Sequence, residues 1–204
     1  GGTILRFYPP MAHVLLGAWL FFLNAPSVLG IEPMRATILW ASILDSMTAV
    51  FILLLVESFS SFRTATSSAF LWAFNAFSFW VFRWGGLGVL TLGFFGSVSL
   101  YVVVKMLSQV ELNRFHVVLY SGVLTMTLCA AFLSHGASMF FVAVTGLTIL
   151  VLSCTPIDRK KVSICALSFL GSGALAFAFF YSYAFVPLLR IYSELGVVFG
   201  KGAQ

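Results

Sequence analysis

The chain has 204 residues, of which 61% are hydrophobic and 8% are charged. A soluble globular domain carries roughly 25% charged residues, so this chain has too few charges to coat a surface that faces water. The net charge of +5 comes from 11 Lys and Arg against 6 Asp and Glu. Because these charges sit singly between apolar runs, they indicate membrane topology and not a nucleic-acid interface. A lipid bilayer is therefore predicted to surround most of the side chains.

The apolar segments are continuous over about 20 residues, which is the length of a membrane-spanning helix. Strands of a membrane barrel would alternate polar and apolar residues instead. In chain order, the predicted spans cover about 11–30, 37–56, 66–82, 86–106, 115–133, 138–154 and 162–189. The fold class is therefore predicted to be all-α, a polytopic bundle of transmembrane helices in one integral membrane domain over residues 1–204. The number of spans is six or seven, because the last segment either crosses fully or lies at the surface.

Basic residues between the spans predict the orientation, since cytoplasmic loops carry an excess of Lys and Arg. Seven fall on the side of the N-terminus, and they are Arg6, Arg63, Lys105, Arg114, Arg159, Lys160 and Lys161. Four fall on the other side, and they are Arg35, Arg83, Arg190 and Lys201. The bias predicts that the N-terminus faces the cytoplasm, or the equivalent matrix side. Which membrane holds the protein is left open.

Few residues suggest enzymatic or metal chemistry. Cys129, Cys154 and Cys165 show no CxxC spacing and are expected to be buried thiols that pack as small apolar groups. No HExxH, catalytic triad or phosphate-binding loop occurs, so no catalytic residue, metal or cofactor is predicted. His13 and His116 are predicted at similar depths, where a pair of histidines is one way to hold a haem. Ordinary interfacial histidines are the favoured interpretation.

Asp45 is the most informative residue, because it lies near the middle of the second predicted span. An ionised carboxylate there costs roughly 2.5–3.5 kcal/mol on insertion scales. Depth along the helices, at about 1.5 Å per residue, predicts that Asn24 and Asn75 meet it near one level. The three side chains are therefore predicted to line a path for a proton or a polar substrate. The alternative is a structural carboxyl that is held by Ser42, by Thr48 or by a neighbouring helix.

Eight aromatic residues lie between positions 70 and 84, within the third predicted span and just after it. They are Phe70, Trp72, Phe74, Phe77, Phe79, Trp80, Phe82 and Trp84. One stripe of them, formed by Phe70, Phe74 and Phe77, is predicted to narrow a pore, since hydrophobic constrictions can gate conduction by dewetting. The alternative is that these rings contact lipid and neighbouring helices.

Short motifs resemble those of the acetate/succinate transporter family of six-span membrane proteins. They are GAWLFFLN at 17–24, the glutamate at 57, FSFW at 77–80 and GFFG at 93–96. The stretch NAPSVLGIEP at 24–33 is similar, more faintly, to the amide–urea channel family. The resemblance implies a homo-oligomeric channel or proton-coupled carrier for a small carboxylate or amide. Each protomer would then hold its own pore, lined by Asn24 and the aromatics of the third span.

The sequence therefore predicts a channel or transporter for a small solute, with the lipid bilayer and further copies of the chain as its partners. The alternative is a non-catalytic subunit of a larger membrane complex of the respiratory or ATP synthase type. A chain made almost wholly of spans suits both functions. A catalytic role is disfavoured, because an intramembrane enzyme normally needs more than one buried ionisable group.

Overall fold

The computed structural model describes residues 11–74, 86–134, 138–154 and 157–178, and all the regular structure in these ranges is helical. The elements are α1 (Met11–Gly17), a π-helical turn (Ala18–Phe22), α2 (Ala25–Leu29), α3 (Pro33–Glu57), α4 (Phe62–Ala73), α5 (Leu87–Ser108), α6 (Arg114–Phe132), α7 (Ser138–Ser153) and α8 (Arg159–Ala176). The predicted all-α class is confirmed for this part of the chain.

Three of the described helices are long and apolar enough to cross a membrane, and they are α3, α5 and α6. They coincide closely with the predicted segments 37–56, 86–106 and 115–133. The segment Met11–Phe22 and most of α7 form shorter apolar helices. The described part of the chain is therefore helical, with several segments suited to a membrane, and three helices in that part meet the length and hydropathy of a full span.

Local sequence signals fix where the helices begin. The carboxamide of Asn113 accepts a hydrogen bond from the backbone N–H of His116, at 2.8 Å, and so caps α6. The carboxylate of Asp158 caps α8 in the same way through the N–H of Lys160, and Ser61 caps α4. These residue types satisfy the N–H groups that the first helical turn leaves unpaired. Helix α3 instead starts with Pro33, a residue preferred in the first turn.

The predicted first span, 11–30, is not one helix. It changes to π-helical geometry after Gly17 and breaks at Asn24, which has a left-handed backbone with φ 48°. The N–H of Met11 donates to the carbonyl of Leu133, just beyond the end of α6. The indole of Trp19 stacks on Trp40, with ring centroids 5.3 Å apart. The described part of this segment therefore runs from the end of α6 to the beginning of α3.

Helix α3 packs on both α4 and α5, and α6 packs on both α5 and α8. Helices α3 and α5 run in the same direction, since Ala41 packs with Leu90 in the first part of each helix, and further along Phe51 lies against Phe94 and Tyr101, each with ring centroids 5.8 Å away. Helix α6 runs antiparallel to α5, and the Ser99 hydroxyl donates to Thr127 across their contact at 2.9 Å. The main core lies between α5, α6 and α8. Its buried side chains include Val102, Met106, Leu124, Leu128, Phe132, Ile164 and Cys165.

A buried lysine joins the end of α5 to the start of α8. Lys161 is 7% exposed, and its ammonium group donates to the carbonyl of Leu107 at 3.2 Å and to that of Gln109. Carbonyls at a helix end lack partners within the helix, and a cation there also suits the helix dipole. Six of the seven described basic residues lie at this end of the bundle, and they are Arg63, Lys105, Arg114, Arg159, Lys160 and Lys161. We call it the basic end.

Candidate functional site

Asp45 lies on the face of α3 that meets α4. Its side chain is partly buried, and its Oδ1 accepts a hydrogen bond from the indole N–H of Trp72 at 3.1 Å. Residue 45 stands about midway along α3, so the carboxyl group is at the depth that the sequence predicts. Asp45 is also the one acidic residue within the interiors of the three long apolar helices.

Helix α5 is the third helix at this site, and it packs against both α3 and α4 there. A Cβ atom placed on Gly93 would lie 3.6 Å from the Cζ2 atom of Trp72 and 4.0 Å from the Cγ2 atom of Thr48. The absence of a side chain at Gly93 therefore lets α5 approach both the indole and α3. Thr48 is 1% exposed. We call the group formed by Asp45, Thr48, Trp72 and Gly93 the Asp45 site.

The hydrogen bond from Trp72 orients the carboxyl group of Asp45. An indole N–H can only donate, and a buried one needs an acceptor. A carboxylate offers about four acceptor positions, of which the indole takes one. The arrangement can hold a proton, or a donor group of a solute, at a defined height in the bundle.

The hydroxyl groups predicted to hold Asp45 point elsewhere. Ser42 donates to the carbonyl of Ile38, and Thr48 donates to that of Leu44. The donor to Asp45 is instead Trp72, which the sequence analysis counts only as one of eight aromatic residues. The sequence feature that could have identified this donor is the residue type, because Trp72 is the one aromatic side chain of α4 that carries a hydrogen-bond donor.

Of the two amide side chains predicted to meet Asp45, only Asn24 belongs to the described residues. Asn24 is exposed, and its side chain does not cap α2. The indole N–H of Trp19, earlier in the same segment, donates to the carbonyl of Ala36 at 2.9 Å, near the start of α3. Asp45 is about 13 Å further along that helix, at 1.5 Å per residue, so the structure does not bring Asn24 to its level. Asn75 lies outside the described residues.

Two of the three rings predicted to form a constriction face outward in the described part of the chain. Phe70 and Phe74 are 61% and 65% exposed, and their ring centroids lie 4.3 Å apart on the outer face of α4. They face outward because α4 turns Trp72 towards α3. Phe77 lies outside the described residues. A constriction formed by Phe70, Phe74 and Phe77 therefore stays a prediction, and Trp72 is the ring of α4 that faces α3.

The histidine pair is separated by the length of a helix. His116 lies in the first turn of α6, whereas His13 lies close to Met11, whose N–H bonds Leu133 beyond the end of that helix. The distance along α6 is about 24 Å at 1.5 Å per residue, so these two histidines cannot bind one haem. Within the described residues, no three His, Cys, Asp or Glu side chains are placed to hold a metal.

The cysteines differ in exposure. Cys165 is buried and Cys129 partly buried, but Cys154 is exposed at the end of α7. The expectation of buried thiols therefore fails for Cys154, because α7 ends there and its last turn faces outward.

Comparison of the chain with protein-family models, with curated protein sequences and with solved structures finds no match. The resemblance to the acetate/succinate transporters and amide–urea channels thus remains a prediction from short motifs, and the functional argument depends on the residues of the Asp45 site.

Proposed function

We propose that this chain is a multi-pass membrane channel or transporter with six or seven spans, in which a proton or small polar solute passes Asp45. The observation that carries the proposal is the carboxyl group midway along α3, oriented by the indole N–H of Trp72 at 3.1 Å. A buried acidic residue costs free energy in a bilayer, and such residues usually face a wet path or the interior of a bundle.

The chemistry of Asp45 narrows the class of solute. An ionised aspartate repels a carboxylate solute, so an acidic solute would pass with Asp45 protonated and would move together with a proton. An amide solute would instead donate its N–H groups to the ionised side chain. Both solute classes are those that the family resemblance implies.

The outward-facing rings of α4 favour an assembly of several copies of the chain. Phe70 and Phe74 form an exposed aromatic pair, and aromatic side chains are enriched at protein interfaces. In a homo-oligomer this pair would meet a neighbouring protomer or the lipid between protomers.

The cluster of charges at the basic end supports a cytoplasmic (or matrix) location for that end. The N–H of Met11 bonds Leu133 at the opposite end of α6, so this orientation would put Met11 on the other side of the membrane from the basic end, unlike the predicted position of the N-terminus. The exposed thiol of Cys154 lies at the same end and provides a test. In a variant carrying Cys129→Ser and Cys165→Ser, a membrane-impermeant maleimide should label Cys154 in inside-out vesicles and leave it unlabelled in right-side-out vesicles. The reverse pattern contradicts the proposed orientation.

Flux through proteoliposomes tests the role of Asp45. Asp45→Asn keeps the shape of the side chain and an oxygen for the Trp72 hydrogen bond, but it cannot ionise. We expect it to lower proton-coupled uptake of acetate, or the flux of a small amide, by at least about tenfold, equivalent to 1.4 kcal/mol of barrier height. Ser42→Ala on the same helix is the matched control and should transport normally. Normal flux through the Asp45→Leu variant would contradict the proposal.

The second candidate is a non-catalytic subunit of a larger membrane complex. It is favoured by the large apolar surface that the chain leaves exposed, including Phe22 at 90% and Phe21 at 81%. Native mass spectrometry after gentle extraction separates the two. A homo-oligomer without other chains supports the transporter, whereas fixed stoichiometry with other chains supports the subunit and makes Asp45 a contact between helices.

A further inference from the structure

An apolar cavity of about 180 Å³ lies between α5, α6, α7 and α8. Its walls include Leu100, Val103, Leu128, Val144 and Thr145. An apolar cavity of roughly this size stays free of water and accepts an apolar guest. It shares helix α5 with the Asp45 site, but none of its lining residues belongs to that site.

The hydroxyl groups beside the cavity do not make it polar. Ser99 donates to the carbonyl of Phe95 at 2.8 Å, and Thr148 donates to that of Val144 at 2.8 Å. Ser99 also contacts the hydroxyl of Thr127 on α6, so both donors are satisfied within the protein and what they leave facing the cavity is largely hydrocarbon. Val144 is 47% exposed, which shows that one wall is also accessible from the surroundings of the bundle. In a bilayer those surroundings are acyl chains.

A second, polar cavity of about 690 Å³ lies at the turn between α7 and α8. Its polar wall is formed by Arg159, Ser153 and Ser163, and the rest of its lining is Leu152, Cys154, Ile157 and Val162. Leu152 lines both cavities, so the polar one adjoins the end of the apolar one. The polar cavity also lies at the basic end, where Lys160 adds a further positive charge.

We propose that the two cavities form one binding site for an anionic phospholipid, with an acyl chain in the apolar cavity and the phosphate beside Arg159. Basic pockets between helices near a membrane surface bind anionic headgroups. The apolar cavity runs from Phe141 to Leu152 along α7, which is about 16 Å at 1.5 Å per residue. This elongated form suits a chain better than a compact guest. The proposal requires that the protein lies in a membrane, but it does not depend on transport.

Native mass spectrometry of the full, delipidated chain tests the site with two lipids that share their acyl chains, phosphatidylglycerol and phosphatidylcholine. We expect one phosphatidylglycerol to bind more tightly than phosphatidylcholine, and Arg159→Gln to reduce that preference by about fivefold, the effect of roughly one basic side chain at an anionic surface. Thr145→Phe fills the apolar cavity and should weaken both lipids. Val144→Phe, whose partly exposed side chain lines the same cavity, is the second variant in case Thr145→Phe does not fold.

Two matched controls separate this site from general lipid contact. Arg114→Gln removes a basic residue from the same end of the bundle but outside the polar cavity, and Leu147→Phe enlarges an exposed residue of α7 outside the apolar cavity. Both should bind lipid as the parent does. The proposal is overturned if either control weakens binding as much as its partner variant. It is equally overturned if the two lipids bind alike, or if glycerol phosphate alone binds as tightly as phosphatidylglycerol.

Discussion

The part of the molecule formed by α5, α6 and α8 is packed around a buried core, whereas few apolar side chains of the part formed by α3 and α4 are fully buried. In the most apolar stretch of α5, 39% of the residues are buried, compared with 17% in α3. Yet α3 carries Asp45. The comparison indicates that α5, α6 and α8 hold the bundle together. Helices α3 and α4 instead position the carboxyl group of Asp45 through a few contacts, which can change with little loss of packing.

The largest effect is expected in the packed part. Phe132 is 2% exposed, and its ring meets those of Phe141 and Phe169 edge-on, with centroids 6.4 Å and 5.8 Å away. Phe132→Ala should lower the free energy of unfolding by about 3–5 kcal/mol, because it leaves a cavity among closely packed rings. Steric trapping in bicelles measures this. Phe140→Ala, at a side chain 77% exposed, should cost far less, and an equal loss would mean that the core does not stabilise the bundle.

A smaller loss is expected at the junction of α5 and α8. Lys161→Met keeps most of the side-chain length but removes the donor to the carbonyls of Leu107 and Gln109. A hydrogen bond to a charged group contributes about 1.5–3 kcal/mol. Because the desolvation of the buried ammonium group offsets part of the two bonds, a total loss in that range is expected in the same unfolding assay. Lys160→Met, at an exposed neighbour, is the control. If both variants unfold alike, the contact made by Lys161 adds nothing to stability.

The smallest effect is expected in the part formed by α3 and α4. Trp40 on α3 and Trp72 on α4 allow a matched comparison there. Trp72→Phe removes the donor to Asp45, and polar contacts between membrane helices contribute about 0.6 kcal/mol on average. Trp40→Phe removes an indole nitrogen that is buried without a hydrogen-bond partner among the described residues. Because an unsatisfied buried donor destabilises a protein, Trp40→Phe should be neutral or stabilising.

Thermal unfolding of both Trp→Phe variants, alongside their flux, tests this difference. Trp72→Phe should unfold at a lower temperature than Trp40→Phe and should transport less well. Equal behaviour of the two variants would show that the hydrogen bond between Trp72 and Asp45 has no role in stability or function.

The sequence predicts the long helices well, since continuous apolar runs and caps such as Asn113 define them locally. The sequence does not predict the break near Asn24. The run of apolar residues continues through the π-helical turn, and hydropathy does not depend on backbone geometry. The sequence predicts the depth of Asp45 but not its partner. Which face of α4 turns inward depends on contacts with α3 and α5, and only the close approach at Gly93 selects Trp72 over Phe70 and Phe74.

The contact made by Lys161 also has a consequence for how the protein is synthesised. Its two acceptors precede it by 54 and 52 residues, so α6, α7 and their connections must all be made before the contact can form. Until then the last carbonyls of α5 have only water or lipid headgroups as partners. The growing chain therefore completes this end of the bundle late, and a ribosome-bound intermediate that stops before α8 would expose an unfinished end for membrane chaperones to bind.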